Sequence, residues 1–168
     1  MKTIHPVLNN LRFGGSSFNW YLLLVILAAF IAILSMGAGL WSLSPNHVYH
    51  ELSHMAFSQL CHQQVDRSLE LGGLPMAVCS RCFGIYSSFS LALILMPMLI
   101  VLGLRYHHPW AIRFIVISII AIGIDFIGNL FGFWINTHLS RIILGSNLGI
   151  SLGWLLAGQI KHLNNTTP

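Results

Sequence analysis

Four long apolar blocks run through the chain, at about residues 19–41, 84–104, 110–134 and 142–160. As a helix, each is long enough to cross a hydrocarbon core of about 30 Å, which takes roughly 20 apolar residues. The pattern predicts an all-α fold, an integral membrane bundle of about four transmembrane helices. We expect it to form a single membrane domain over residues 1–168.

The polar segment between the first two blocks, residues 44–83, has a different pattern. Ser44-Pro45 is a helix-start signal, and apolar positions then recur with the helical period to about Cys61. This predicts an amphipathic interfacial helix, followed by a loop at 63–78 with Gly72-Gly73 as a breaker. The predicted polar face holds His47, His50, Glu51, His54, Ser58 and Cys61, and the apolar face Val48, Tyr49, Leu52, Met55, Ala56 and Leu60.

Composition supports a membrane protein and argues against a nucleic-acid partner. The chain is 55% hydrophobic and 7% charged, whereas soluble domains have roughly 25% charged residues. Its net charge of +4 is spread over segments that flank the apolar blocks instead of forming a patch. The expected location is the cell (inner) membrane. The distribution of Lys and Arg predicts that both termini are cytoplasmic and that the polar segment lies outside. The lipid bilayer is therefore the expected partner.

Polar side chains interrupt the third and fourth apolar blocks. Asp125 and Asn129 lie in the third and Asn147 in the fourth. An ionisable residue in a membrane helix costs about 2.5–3.5 kcal/mol on insertion scales, so it usually pairs or has a function. With the polar segment outside, these residues are expected to converge beneath it. The available partners of Asp125 are Arg67, Arg81 and Arg141.

The fourth block also contains a small-residue pattern. Gly145, Gly149 and Gly153 recur at four-residue spacing. Without side chains, these positions form a smooth stripe on which another helix can approach closely. The spacing therefore predicts a tight helix–helix contact.

All three cysteines lie in or beside the polar segment, as Cys61-His62 and Cys79-x-x-Cys82. Three thiolates and one imidazole are enough for a four-coordinate metal site, and zinc is the metal that this ligand set suits. A lone Cys-x-x-Cys pair is also what a disulfide-exchange centre uses. That alternative makes the protein a thiol–disulfide oxidoreductase linked to a membrane quinone. A third interpretation treats the cysteines as small buried apolar residues.

His50-Glu51-x-x-His54 offers a second possible metal site. Two histidines one helical turn apart can bind one zinc ion, with Glu51 as the general base of a metallopeptidase. Asp125, Cys61 and His62 are possible third ligands, although no downstream signature selects one. The alternative is a polar helix face without a metal.

A set of short motifs extends from the polar segment into the later apolar blocks: Cys61-His62-Gln63, Arg67-Ser68, Cys79-Ser80-Arg81-Cys82-Phe83-Gly84-Ile85-Tyr86, Asp125 and Ser146-Asn147. This set resembles the pattern of a family of small bacterial and archaeal membrane proteins, catalogued as domain of unknown function 2085. The resemblance implies a membrane protein and no particular activity. The chain also has a looser likeness to the bacterial quinone-linked disulfide generator, but it lacks that protein's second cysteine pair.

These observations predict one polar site at the outer rim of the bundle. Its expected metal ligands are Cys61, His62, Cys79 and Cys82, with His50 and His54 as the alternative pair. Whether the site is catalytic is left open by the sequence. The candidate catalytic groups are Glu51, Asp125 and Arg141, and the expected cavity-lining residues are Arg67, Arg81, Tyr86, Asn129 and Asn147.

Overall fold

The computed structural model describes residues 15–37, 47–101 and 108–166. These residues are mostly helical, which confirms the all-α part of the prediction. One short 3-10 helix and one small hairpin lie between the second and third α-helices. The elements are α1 (Gly15–Ser35), α2 (His47–Phe57), the 3-10 helix (Val65–Arg67), β1 (Glu70–Leu71), β2 (Leu74–Pro75), α3 (Ser80–Val101), α4 (His108–Leu130) and α5 (His138–Thr166).

Helix α1 ends earlier than the apolar pattern predicted. It stops at Ser35 instead of residue 41, and Met36 N donates a hydrogen bond to Ile33 O at 3.1 Å as the helix closes. Gly37 follows with a φ of +70°, a conformation that ends helices and favours glycine. A Cβ at this position would lie 3.0 Å from Ala77 N. The predicted helix start at Ser44-Pro45 lies outside the described residues.

The amphipathic helix α2 turns its apolar side away from the bundle. It ends at Phe57 instead of Cys61, and Ser53 and Phe57 are its buried residues. Leu52 and Met55, both on the predicted apolar face, are 58% and 69% exposed. Helix α2 therefore leaves apolar side chains outward, where a membrane surface would cover them.

The segment predicted as a loop is ordered. It contains the 3-10 helix and an antiparallel pair of two-residue strands, in which Leu71 pairs with Leu74. Gly72 and Gly73 form the turn with φ of +61° and +80°, as expected of a two-residue hairpin turn. The glycine breaker was predicted correctly. The strands were missed because two residues are too few to show an alternating pattern.

Helices α3 and α5 pack closely through the predicted glycine stripe. A Cβ at Gly145 would overlap Arg81 O, and one at Gly153 would lie 2.7 Å from the Ala92 Cβ. From the opposite helix, a Cβ at Gly84 would lie 2.6 Å from Ile142 O. The predicted helix–helix contact is confirmed.

The other helices surround the α3–α5 pair. Helix α1 packs on α3, α4 packs on α5, and α2 contacts α1. Residues Pro109–Leu130 of α4 and His138–Gly158 of α5 are long and apolar enough to cross a membrane, and α1 and α3 hold shorter apolar segments. Only 22% and 28% of the two longer windows are buried inside the molecule. Most of their apolar surface therefore faces outward, unlike that of a helix in a soluble core.

Candidate metal centre

Three cysteines from two separated parts of the chain meet at one point. The ligand atoms of Cys61, Cys79 and Cys82 all lie within 4.8 Å of one another. Cys61 is buried and the other two are half-buried, and none forms a disulfide. Among the described residues, this is the group that brings three or more potential metal ligands together.

Local backbone geometry holds the three sulfur atoms in place. Cys61 N donates to Phe57 O at 2.9 Å and so closes the turn after α2. Cys79 directly precedes α3, and its backbone N–H donates to Cys61 Sγ at 3.2 Å. Cys82 lies in the first turn of α3. The two-residue spacing therefore places Cys79 and Cys82 at the same helix end, facing Cys61.

Gln63 joins the two parts of the cysteine cluster. Its φ of +48° lies in the left-handed region, uncommon for a residue with a side chain. The Nε2 group donates to His54 O at 2.7 Å and to Ala77 O at 3.0 Å. Ala77 and Val78 are fully buried. Gln63 thus ties the last turn of α2 to the segment between β2 and Cys79.

The cluster favours a thiolate at Cys79. Hydrogen bonds from the Cys61 and Cys82 thiols hold the pKa of Cys79 well below its usual value, and the backbone amides of Cys82 and Arg81 contribute in the same direction. Burial acts against this shift. Thiolate is the form of cysteine that binds metals.

An ion pair supports the cluster from the neighbouring helix. Arg81, between the two cysteines of α3, donates from its NH2 group to Asp125 Oδ2 in α4. Asn136 Nδ2 also donates to Asp125 Oδ2, at 2.8 Å, and Asn129 Oδ1 accepts from Asn136 N at 3.2 Å. Of the three arginines available in the sequence, Arg81 is the partner of Asp125. The pair fixes α3 to α4 beside the cysteines.

A cavity of about 470 Å³ opens next to Cys79 and Cys82. Two polar groups that the sequence did not single out, Gln64 and Asn136, also line it. His62 lines the cavity but is not part of the three-cysteine group. The lining residues are His62, Gln64, Arg67, Cys79, Arg81, Cys82, Phe126, Asn129, Asn136 and Arg141.

Two of the residues expected to line the cavity lie elsewhere. Asn147 lines a separate groove of about 360 Å³ between α4 and α5, with Phe114 and Trp154. Tyr86 packs against Phe57, with ring centroids 5.6 Å apart, in the apolar cluster behind the cysteines. The helical positions were predicted, but their direction around each helix depends on the tertiary packing.

Ser80 was missed by the sequence reasoning. Its Oγ donates to Arg67 O at 2.8 Å and lies 2.8 Å from His138 Nδ1 at the start of α5. Because the Ser80 hydroxyl donates its proton to Arg67 O, its oxygen is left to accept a hydrogen bond from His138. In this arrangement His138 Nδ1 is the donor. Its position inside the Cys-x-x-Cys motif was the available signal.

His50 and His54 of α2 form a pair without a third ligand among the described residues. The rings of His50 and His54 lie 4.3 Å apart, and Glu51 is exposed. His50 Nδ1 and His54 Nε2 are buried without a hydrogen-bond partner. Burial, followed by the charge of His50, lowers the pKa of His54. The roles of Glu51, His50 and His54 stay predictions.

Residues 61–155 match a family model described as predicted membrane protein (DUF2085). The chain belongs to the DUF2085 family. The resemblance identified from the sequence motifs is therefore confirmed. The DUF2085 segment begins at Cys61 and contains all three cysteines, Arg81 and Asp125, whereas α2 with His50 and His54 precedes it.

A distant relative extends the likeness beyond the DUF2085 segment. The chain is 28% identical over 137 residues to a protein of Methanocaldococcus jannaschii that is named as uncharacterized. The match covers 81% of this chain and 83% of that protein. No solved structure matches the chain.

Proposed function

We propose that this DUF2085 protein is a multi-pass membrane protein that binds one zinc ion through Cys61, Cys79 and Cys82. The observation that carries the proposal is the convergence of the three ligand atoms within 4.8 Å. A Zn–S distance of about 2.3 Å places tetrahedral sulfur ligands about 3.8 Å apart. Small side-chain rotations would therefore bring these sulfurs to zinc-binding distances.

The surroundings of the sulfur atoms favour a metal over a simple disulfide. Three thiols meet, and an odd number cannot all pair within one chain. Cys61 Sγ also accepts a hydrogen bond from Cys79 N–H at 3.2 Å. Outer-shell donors of this kind orient metal ligands and balance their charge.

His62 is the proposed fourth ligand. It follows Cys61 directly, and its exposed side chain lines the same cavity as Cys79 and Cys82. Rotation of this side chain would complete a Cys3His set, which is a common structural zinc arrangement. Without His62, the fourth position would face the cavity and take water or another ligand.

The proposed membrane arrangement has four spans, formed by α1, α3, α4 and α5. The outward apolar side chains of these helices support it, including Leu23, Phe30, Ile120 and Ile124, each more than half exposed. Helix α2 would lie at the interface, with Leu52 and Met55 toward the lipid. The Lys and Arg distribution favours cytoplasmic termini and an outer cysteine cluster.

Metal analysis of the full-length protein, purified in detergent with a phosphine reductant, tests the zinc proposal. We expect about one equivalent of zinc in the wild type and almost none in Cys61→Ser, because two thiolates and one imidazole bind zinc far more weakly. His62→Ala should keep zinc with lower affinity. The double variant His50→Ala/His54→Ala is the matched control and should keep the full equivalent.

Two results would contradict the proposal. Metal-free wild-type protein with a Cys79–Cys82 disulfide, found by mass spectrometry without reductant, would favour the quinone-linked redox alternative. That alternative draws support from the low pKa of Cys79 at a helix N-terminus. Loss of zinc in the double histidine variant, with retention in Cys61→Ser, would instead favour the metallopeptidase alternative.

A further inference from the structure

Unpartnered polar atoms concentrate around the cavity beside the cysteine cluster. Among the described residues, six buried side-chain nitrogen or oxygen atoms have no hydrogen-bond partner. Four of them belong to residues that line this cavity: Gln64 Oε1, Arg67 Nε, Arg81 Nε and Asn136 Oδ1. Buried polar groups are normally hydrogen-bonded. A ligand bound in this cavity would supply hydrogen-bond partners for these side chains.

The charge of the cavity wall is positive. Three arginines line it and, among the described residues, no carboxylate does. Arg81 is paired with Asp125, whereas Arg67 Nε lies 3.7 Å from the exposed Asp66, too far for a hydrogen bond. The Arg141 side chain makes no hydrogen bond or ion pair with any described residue. A zinc ion with three thiolates would add one negative charge, which leaves the wall positive.

We propose that this cavity binds a small molecule that carries an oxyanion, either a carboxylate or a phosphate. Arg67 and Arg141 bind the oxyanion, since guanidinium groups match the geometry of both anions. Arg81 adds its free N–H while Asp125 holds it in position. Gln64 Oε1 and Asn136 Oδ1 are acceptors, so the ligand also carries a hydroxyl or amine donor.

The cavity has the size and surroundings for such a ligand. A volume of about 470 Å³ falls within the usual range for small-molecule sites, roughly 300–1,000 Å³. Phe126 provides an apolar surface on the same wall. Cys79 and Cys82 also line it, so the oxyanion would lie beside the proposed zinc. The inference rests on the arginines and does not require the metal.

A titration with inorganic phosphate tests the proposal and separates two sources of the oxyanion. The full-length protein in phosphatidylcholine nanodiscs is titrated at constant ionic strength, with chloride as the balancing anion. Tryptophan fluorescence reports the thermal unfolding midpoint. In a second arm without phosphate, half of the lipid is phosphatidylglycerol. A soluble ligand predicts a saturable rise with phosphate, because binding to the folded state stabilises it. A lipid headgroup predicts a rise with phosphatidylglycerol.

Arg141→Gln should weaken whichever response occurs by about tenfold or more. Arg141→Lys, which keeps the charge, should restore part of it. Arg113→Gln is the matched control: it removes the same charge from an exposed α4 residue that packs on Trp110, and it should respond like the wild type.

The absence of a response in both arms would overturn the inference. An equal response in Arg141→Gln and Arg113→Gln would also overturn it. The zinc content of each sample, measured in parallel, separates a failure of the metal site from a failure of the oxyanion site.

Discussion

The cysteine cluster and the histidine pair of α2 are two sets of metal-binding side chains with different support. The cysteines come from distant positions, and the fold brings three ligand atoms within 4.8 Å. The histidines are close because one helical turn separates them, and among the described residues no third ligand joins them. Local spacing alone therefore produces a pair, whereas a site needs tertiary structure that adds the remaining ligands.

The cysteine region has an ion pair beside it, between Arg81 and Asp125. Breaking this pair should have the largest effect among these variants. Asp125→Asn leaves the Arg81 charge half-buried and without a carboxylate. We expect a loss of about 3 kcal/mol in the free energy of unfolding, because breaking one side of a buried pair leaves an uncompensated charge. Zinc affinity should fall too, since Arg81 lies between Cys79 and Cys82. Urea unfolding in detergent and zinc competition with a chelator measure the two effects.

Glu51→Gln is the matched control for Asp125→Asn. It removes the same charge from an exposed carboxylate on the histidine side, so both the stability and the zinc affinity should stay within about 0.5 kcal/mol of the wild type. If the two variants behaved alike, the ion pair would not be what distinguishes the cysteine region.

The glycine contact between α3 and α5 should have the next largest effect. A Cβ at Gly145 would overlap Arg81 O, so Gly145→Leu must push α3 away where it carries Arg81 and Cys82. We expect a loss of about 2–3 kcal/mol from overpacking, with weaker zinc binding. Gly123→Leu in α4, where a Cβ has nothing within 4 Å, should be nearly neutral. Thermal unfolding followed by circular dichroism compares the two variants.

An equal loss in Gly145→Leu and Gly123→Leu would show that leucine in a membrane helix, and not the close contact, causes the destabilisation. A large loss of stability with unchanged zinc affinity would show that the cysteine cluster tolerates movement of α3.

The sequence predicted the helices and the meeting of the three cysteines better than the direction of individual side chains. Apolar length determined the four long helices, and glycine spacing determined the α3–α5 contact, because both follow from helical geometry. The predicted end of α1 was wrong because Gly37 fits against Ala77, a contact between residues far apart in the sequence. Asn147 lines another groove because the direction of its side chain also depends on tertiary packing.

Residues that orient the site had weaker sequence signals. Asn136 donates to Asp125 from the turn after α4, where an isolated Asn is ordinary loop chemistry. Gln63 stands beside the Cys-His motif, but its role depends on a φ of +48° that no pattern indicates. The metal-ligating residue types were recognisable because few loops combine cysteine and histidine, whereas their supporting contacts are known only once the chain is folded.

The smallest expected effect concerns the histidine side and is a pH dependence. Burial lowers the pKa of His54 in the folded protein, so the unfolded chain binds the proton more readily than the folded one. The stability contributed by neutral His54 is fully present above the unfolded pKa of about 6.5 and is lost as the pH falls below it. His54→Gln should therefore lose less stability than the wild type between about pH 7 and 5.

Thermal unfolding gives a midpoint for the wild type and one for His54→Gln at each pH. The difference between these midpoints removes the pH dependence that both proteins share through the cysteines. A constant difference across this range would mean that His54 titrates alike in both states and that the pair is solvated like an ordinary helix surface.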